Sequence, residues 1–329
     1  MKILVTGANG LLGTEIISEF LDLGDDIIGV AGPTAKAKLD SGDPRYSFAL
    51  DISDPSEIGK LTEVGTVDVV VHAAGLAHQF GRTSENEFES VNVEGSRNVA
   101  RIASELNATH LILISSTSVY GMPTKRDEQF DEESRCVPAT AYAESKLRAE
   151  EAVREFCEAQ GMSLTIFRLA PVLGENCSGN AARLIGEIDK GRFVWIGNGR
   201  NLKSLIYKRD VARACVSLAY KKRAGTEIFN ISSPPIEMRA FVNAICQSLG
   251  KKPLPITIPP WAFRPAFWIN ERTLALSKIK SLAQTVEKWL STDLYSSRKI
   301  REEYGFEPVT GVTEAVKLQT EAFKREKEN

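Results

Sequence analysis

Seven residues near the N-terminus restrict this chain more than any others. They are Gly7-Ala8-Asn9-Gly10-Leu11-Leu12-Gly13, set directly after the apolar run Ile3-Leu4-Val5 and at the head of an amphipathic stretch over residues 11–23. A strand that turns through glycines into a helix brings backbone against backbone, which residues without a Cβ allow. The same turn gathers N–H groups at the positive end of a helix, where a pyrophosphate can bind. Alone, the spacing G-x-x-G-x-x-G describes a tight turn equally well; the flanking strand and helix favour the phosphate-binding reading.

Short β-branched runs then alternate with helix-length segments: residues 27–30, 67–71, 111–114 and 164–167. That alternation implies right-handed βαβ crossovers and a parallel sheet. The runs Val69-Val70-Val71 and Leu111-Ile112-Leu113-Ile114 show no polar alternation, as strands covered on both faces require. The expected fold is α/β, a Rossmann-type doubly wound parallel sheet with a smaller C-terminal α/β substrate lobe. The dinucleotide-binding part is expected over 1–170, with some later segments returning to it, and the lobe mainly over 171–329. Within the lobe, helices are expected near 184–190, 210–220 and 238–249, with a turn at Gly197-Asn198-Gly199. The charged tail 324–329 reads as a frayed end.

Composition narrows the function classes. The 329 residues carry a formal charge of −2, which removes a whole-chain argument for nucleic acid. The five cysteines are scattered, with no C-x-x-C pair, so neither a disulfide framework nor a metal site is suggested and a reducing cytoplasm fits. No secretory signal is read at the N-terminus. The most apolar stretch, 253–263, is interrupted by Arg264 and holds, with its continuation to 265, five prolines. A membrane span needs about 18 or more apolar residues, so no span is expected. For Trp261, Phe263, Phe267 and Trp268 in this region core packing is the default, and a substrate lid, an oligomer contact or a lipid-facing patch for a membrane-linked sugar donor are the alternatives.

Several residues extend the candidate cofactor site. Asp51-Ile52 follows the strand expected over 46–50, where the pair can flank an adenine, although Asp51 suits a helix N-cap as well. His72-Ala73-Ala74-Gly75 ends another strand with small residues at the carboxyl edge of the sheet, where ligands bind. After the second strand come Val30-Ala31-Gly32-Pro33, with neither the acid that favours a ribose diol nor a clear base for a 2′-phosphate. Lys36 and Lys38 are phosphate contacts or a solvated loop. The balance leans to NAD, with NADP open.

Tyr142-Ala143-Glu144-Ser145-Lys146 opens a helix expected over 142–160, and the four-residue step puts phenol and ammonium on one face. An ammonium near a phenol lowers its pKa, giving a group able to exchange a proton with a carbinol while hydride moves to or from a nicotinamide. Ser115-Ser116-Thr117-Ser118-Val119-Tyr120-Gly121 leaves the buried strand at the same sheet edge, where Ser116 can hold a substrate oxygen. By itself this loop would read as local turns.

In order and spacing these motifs, together with Asn92-Val93-Glu94-Gly95, Arg168, Gly174 and Asp210-Val211, resemble the extended short-chain dehydrogenase/reductase family. The likeness is to its NAD-dependent nucleotide-sugar epimerase/dehydratase branch, which includes UDP-glucose 4-epimerase, and it covers most of the chain. The resemblance implies Tyr142 as acid/base, Lys146 as its pKa modulator and ribose ligand, and Ser116 as the second hydroxyl. It also implies NAD contacts from Gly7, Gly10, Leu11, Leu12 and Gly13, from Asp51 and Ile52, from Ala73, Ala74 and Gly75, and from Asn92, Ser115, Tyr142, Lys146 and Pro171. Asn92 is implied to steady the active-site helix; alone it would read as a helix N-cap.

For the sugar nucleotide, the resemblance points to Ser116, Asn180, Arg183, Lys203 and Arg298, with Lys203 standing where many relatives place an arginine. Pro171 stands where some galactose epimerases have an asparagine. The branch's 4,6-dehydratases carry an acid pair after the catalytic hydroxyl; here Thr117 and Ser118 occupy those positions, so dehydration lacks an evident base. The expected activity is nucleotide-sugar C4 epimerisation through a transient 4-keto sugar. A 4-keto-sugar reductase using NAD(P)H is the alternative, and a non-catalytic dinucleotide-binding regulator a third. Relatives also suggest a homodimer through helices near 85–106 and 142–160.

Overall fold

The computed structural model describes residues 1–35, 43, 45–77, 83–124, 127–221, 224–253, 256–259, 261 and 290–328. Its centre is a seven-stranded sheet. The strands are β1 (Lys2–Thr6), β2 (Asp26–Ala31), β3 (Phe48–Ala49), β4 (Val69–His72), β5 (His110–Ser116), β6 (Ser163–Leu169) and β7 (Thr226–Ile231). They lie in the order β7-β6-β5-β4-β1-β2-β3, and every neighbouring pair is parallel. β1 is flanked by β2 on one side and β4 on the other, so the order reverses there and a crevice opens at the carboxyl ends of these strands. This is the Rossmann-type α/β fold expected from the strand–helix alternation.

Helices cover both faces. α1 (Leu11–Asp22) and α5 (Lys208–Ala219) pack on one face, where Ile16, Phe20 and Leu218 meet Ile112, Phe167 and Phe229. α2 (Gly95–Glu105) and α3 (Ala141–Gln160) cover the other, where Val99, Ile102 and Val153 meet Leu111, Leu113 and Leu164. The unbroken apolar runs of β4 and β5 are buried along their length for this reason. Each such side chain taken from water contributes roughly 1.5–3 kcal/mol. A third cluster joins α4 (Asn180–Asp189), α6 (Met238–Leu249) and α8 (Val312–Glu328) through Leu184, Ile185, Phe241, Ile245 and Val316. A further short helix, α7 (Arg298–Tyr304), packs against β7.

Some sequence expectations need correction. The strand expected over 46–50 is only Phe48–Ala49 long. The helix expected over 85–106 is broken into Glu85–Phe88, a π-helical turn Glu89–Glu94 and α2. β7 is not evident in the sequence, because Thr226, Glu227 and Asn230 obscure its apolar character. Residues 324–328 are not frayed: α8 runs to Glu328, and Lys327 pairs with Asp189 at 2.7 Å. Phe263, Phe267 and Trp268 lie outside the described residues, and Trp261 is exposed. Among the described residues no helix is long and apolar enough to cross a membrane.

Candidate active site

The glycine turn is as tight as its sequence demands. Gly7 has φ +75°, and a Cβ there would stand 2.7 Å from the Ala74 nitrogen; a Cβ on Gly13 would stand 2.0 Å from the Gly7 carbonyl oxygen. The Gly10 N–H donates to that same oxygen at 2.8 Å. α1 then begins at Leu11 with Gly10 as its N-cap, so no side chain caps it, and its first turn, with Leu11, Leu12 and Gly13, carries no acid. An uncapped helix N-terminus at the crevice of a parallel sheet suits a diphosphate, and these residues fit a dinucleotide.

Around this turn the other predicted cofactor residues have mixed settings. The Gly32 N–H after β2 donates to Asn9 Oδ1 at 3.1 Å. Asp51 folds its carboxylate onto the Ser53 N–H (2.9 Å) and hydroxyl (2.7 Å); the N-cap of the next short helix is Asp54, so Asp51 does not fill the capping role that its position also allows. Ile52 is buried against Gly95. Lys36 and Lys38 lie outside the described residues.

At the end of β4, Ala73 donates its N–H to the Thr6 carbonyl at 3.2 Å and Ala74 donates to the Thr6 hydroxyl at 3.3 Å, which draws this strand end against the glycine turn. His72 is buried, with Nδ1 2.6 Å from Thr6 Oγ1 and Nε2 2.9 Å from Ser96 Oγ. Burial, and secondarily the Lys146 charge, hold its pKa down at about 3, so the ring is neutral at ordinary pH. A Cβ on Gly75 would lie 3.0 Å from Asn92 Oδ1 and 3.2 Å from Lys146 Nζ. Asn92 is no N-cap: inside the π-helical turn, its amide accepts from the Leu76 N–H (2.7 Å) and donates to Ser145 Oγ (3.0 Å), joining β4's exit to α3.

α3 starts where Thr140 Oγ1 accepts the Ala143 N–H and ends at Gly161 in the left-handed conformation. Its first turns present Tyr142 and Lys146. The Tyr142 phenol is hydrogen-bonded to Ser116 and lies 5.9 Å, centroid to centroid, from the Phe88 ring. Lys146 Nζ donates to the Ile114 carbonyl at 3.1 Å. Burial raises the phenol's pKa, with the Ser116 hydrogen bond opposing, so the phenol holds its proton near neutral pH. Burial lowers the Lys146 pKa to about 8, with Glu150 opposing.

Ser115 and Ser116 separate. Ser116 joins Tyr142 and also accepts the Ser118 N–H at 3.1 Å, whereas the Ser115 hydroxyl turns beneath α3 and donates to Glu150. Glu150 is buried and pairs with Arg168 at 2.7 Å; Arg168 in turn donates to the Tyr120 hydroxyl at 3.1 Å, and that hydroxyl donates to Asn230 at 2.8 Å. Sequence reasoning missed this network. Its signals were an arginine inside the apolar strand Ile166-Phe167-Arg168-Leu169 and a glutamate one turn after Lys146. Asp210, another recurrent residue of the motif set, is buried and accepts the Val309 and Thr310 N–H groups at 3.1 and 3.0 Å.

The remaining predicted residues lie farther along the chain. The Pro171 carbonyl accepts the Ile206 N–H at 3.1 Å while its ring is exposed. Asn180 and Arg183 lie in the first turn of α4, whose N-cap Gly179 supplies no side chain; Asn180 is exposed. Lys203 is held by Asp293 at 2.7 Å and Ser291 at 3.2 Å. Arg298 is 72 % exposed and pairs with Glu302 at 3.0 Å along α7. Among the described residues no cluster of His, Cys, Asp and Glu could hold a metal.

Comparison with known proteins adds a family to this geometry. Residues 3–232 match the model of the NAD dependent epimerase/dehydratase family. The chain is 26% identical over 310 residues to the N-acetyl-alpha-D-glucosaminyl-diphospho-ditrans,octacis-undecaprenol 4-epimerase of Escherichia coli O157:H7, covering 91% of this chain and 88% of that one. It is 24% identical over 327 residues to the UDP-glucose 4-epimerase of Vibrio cholerae, covering 98% and 95%. The crystal structure of UDP-glucuronic acid 4-epimerase from Bacillus cereus in complex with NAD superposes with a TM-score of 0.76 at 19% identity, covering 99% of each chain, which shows the shared fold.

Proposed function

This chain belongs to the NAD dependent epimerase/dehydratase family, and from that premise we propose that it is a nucleotide-sugar C4 epimerase acting through a transient 4-keto sugar. The observation that carries this reading is the Tyr142–Ser116 hydrogen bond at the carboxyl end of β5, with Lys146 one helical turn behind it. NAD, when bound, supplies a hydride acceptor and then a hydride donor. Ser116 orients the sugar's 4-oxygen, and Tyr142 exchanges the proton of that oxygen: it accepts the proton as the carbonyl forms and returns it as the carbinol is restored. Because burial raises the pKa of the Tyr142 phenol, accepting that proton requires a nearby cation, and the Lys146 ammonium is the one nearest in sequence and helix face.

One further observation, in the loop, supports the choice among reactions; the relatives, which also include dTDP-D-glucose 4,6-dehydratases at 29% and 27% identity, support the family's chemistry more broadly. Thr117 and Ser118 follow Ser116, and the Thr117 hydroxyl donates to the Leu169 carbonyl at 3.1 Å, so the loop offers no carboxylate for eliminating water. Curated relatives at 26% and 24% identity are named as 4-epimerases, one of a diphosphate-linked lipid sugar and one of UDP-glucose. The second reading, a 4-keto-sugar reductase, draws on the end of β2, where no acid selects an unphosphorylated ribose. We assign Asn180, Arg183, Lys203 and Arg298 to the nucleotide diphosphate side of the site, and a homodimer through α2 and α3.

The test is a panel of UDP- and dTDP-sugars analysed for product isomers, with bound nicotinamide followed by absorbance. Isomers at C4 without net redox are expected; consumption of added NADH or NADPH only with a 4-keto sugar would show the reductase. Tyr142→Phe should lower turnover by roughly 10²–10⁴-fold while NAD binding is retained. Unchanged turnover in that variant would remove Tyr142 from the chemistry.

A further inference from the structure

Three consecutive residues of β5 each hold one of three residues spaced four apart on α3. The Ile114 carbonyl accepts from Lys146 Nζ at 3.1 Å, the Ser115 hydroxyl donates to Glu150, and Ser116 is hydrogen-bonded to the Tyr142 phenol. Strand register extends the middle contact sideways. Ser115 pairs with Arg168 on β6 and Arg168 pairs with Asn230 on β7, so three polar residues form one rung across the sheet beneath α3. Each is buried: Ser115 is 4 %, Arg168 5 % and Asn230 0 % exposed.

We propose that Glu150 is a positioning residue of this active site, its buried carboxylate sustaining the charge of the Lys146 ammonium one turn away while Ser115 and Arg168 fix it in place. The inference rests on the part that Lys146 plays in the proposed epimerase chemistry. It explains why a full ion pair stands inside the sheet-facing side of a helix where apolar residues would pack at lower desolvation cost. Arg168 contacts the carboxylate through Nε at 3.2 and 3.1 Å and through Nη2 at 2.7 Å, and it stacks over the Tyr120 ring at 5.0 Å. The carboxylate is thus restrained from two strands, and its field on Lys146 is fixed in direction.

Among the described residues the titratable groups that face this pair are few. On α3 itself are Tyr142 and Glu150. His72 at the end of β4 is neutral and feels the Lys146 charge. Arg168 on β6 lies behind Glu150, with Tyr120 from the loop after β5. Cys136, whose thiol burial pushes up, faces Arg168 and Glu150 from the segment before α3, and Glu132 reaches the Asn230 N–H at 2.7 Å. Among the described residues Glu150 is the anion whose charge opposes the burial that lowers the Lys146 pKa to about 8.

The test is a titration of Lys146 by NMR in protein labelled at lysine Cε, the signal being assigned by its loss in Lys146→Met. In Glu150→Gln the midpoint should fall by about one unit. Because that variant leaves Arg168 buried without its partner, the double variant Glu150→Gln/Arg168→Gln, which removes both charges, is titrated beside it, and a downward shift is expected there too. A folded variant of either kind whose Lys146 titrates as in the parent overturns the proposal. The titration needs no turnover, so it is judged apart from the epimerase reading. The alkaline limb of kcat/KM should follow the midpoint; a shifted midpoint with an unmoved limb supports the role of Glu150 and counts instead against Lys146 in the chemistry.

Discussion

Burial lowers the pKa of Lys146 to about 8, so between that pH and about 10.5 the unfolded chain carries a proton that the folded chain has released. In this window stability gains with rising pH, and below it the charged lysine weighs against the fold. Lys146→Met should therefore raise stability at pH 7 by about 1–3 kcal/mol, an effect that fades above about pH 10.5, while turnover is lost. Urea melts at both pH values check this; a variant less stable at pH 7 would contradict it. Tyr142, Lys146 and Ser116 are legible in the sequence because a four-residue helical step and a strand end are short-range facts. The state of the phenol is not, since it depends on burial, which raises its pKa, while the motif alone implies only an ammonium that lowers it.

At the scale of elements, the β1–α1 turn is legible for a steric reason that survives any tertiary context. A methyl group at Gly13 would enter the Gly7 carbonyl, backbone against backbone. Gly13→Ala should cost about 1–3 kcal/mol and weaken NAD binding. Gly186→Ala, inside α4 with nothing near the added Cβ, should instead gain roughly 0.5–1 kcal/mol. Thermal melts and NAD titration of the two variants check both signs, and equal effects would contradict these two steric environments. β7 is harder to read: its register with β6 buries Asn230 beside Arg168, so the polar residue that argues against a strand is there to satisfy the Tyr120 hydroxyl. The break in the helix expected over 85–106 is hidden likewise, because Asn92 spends its amide on Leu76 and Ser145, partners distant in sequence.

For the whole molecule, a parallel sheet with its order reversing beside β1 places the glycine turn, the β4 exit and the Tyr142 helix at one edge. That convergence is what local motifs imply and topology completes. The outer faces of α2 and α3 expose Arg101, Arg148, Glu151 and Arg154, three cations to one anion, so the proposed homodimer sets like charge against like charge and should tighten as salt screens it. Sedimentation at low and high ionic strength checks this, and a dimer indifferent to salt would place the contact elsewhere. The central claim is a reversible oxidation at C4 with Tyr142 moving the proton. Its most direct test is proton NMR of a UDP-hexose incubated with the protein in deuterated water. Conversion to the C4 epimer with the C4 hydrogen retained and no deuterium at C5 is the predicted result; deuterium at C5, or an oxidised sugar without any epimer, would contradict the account.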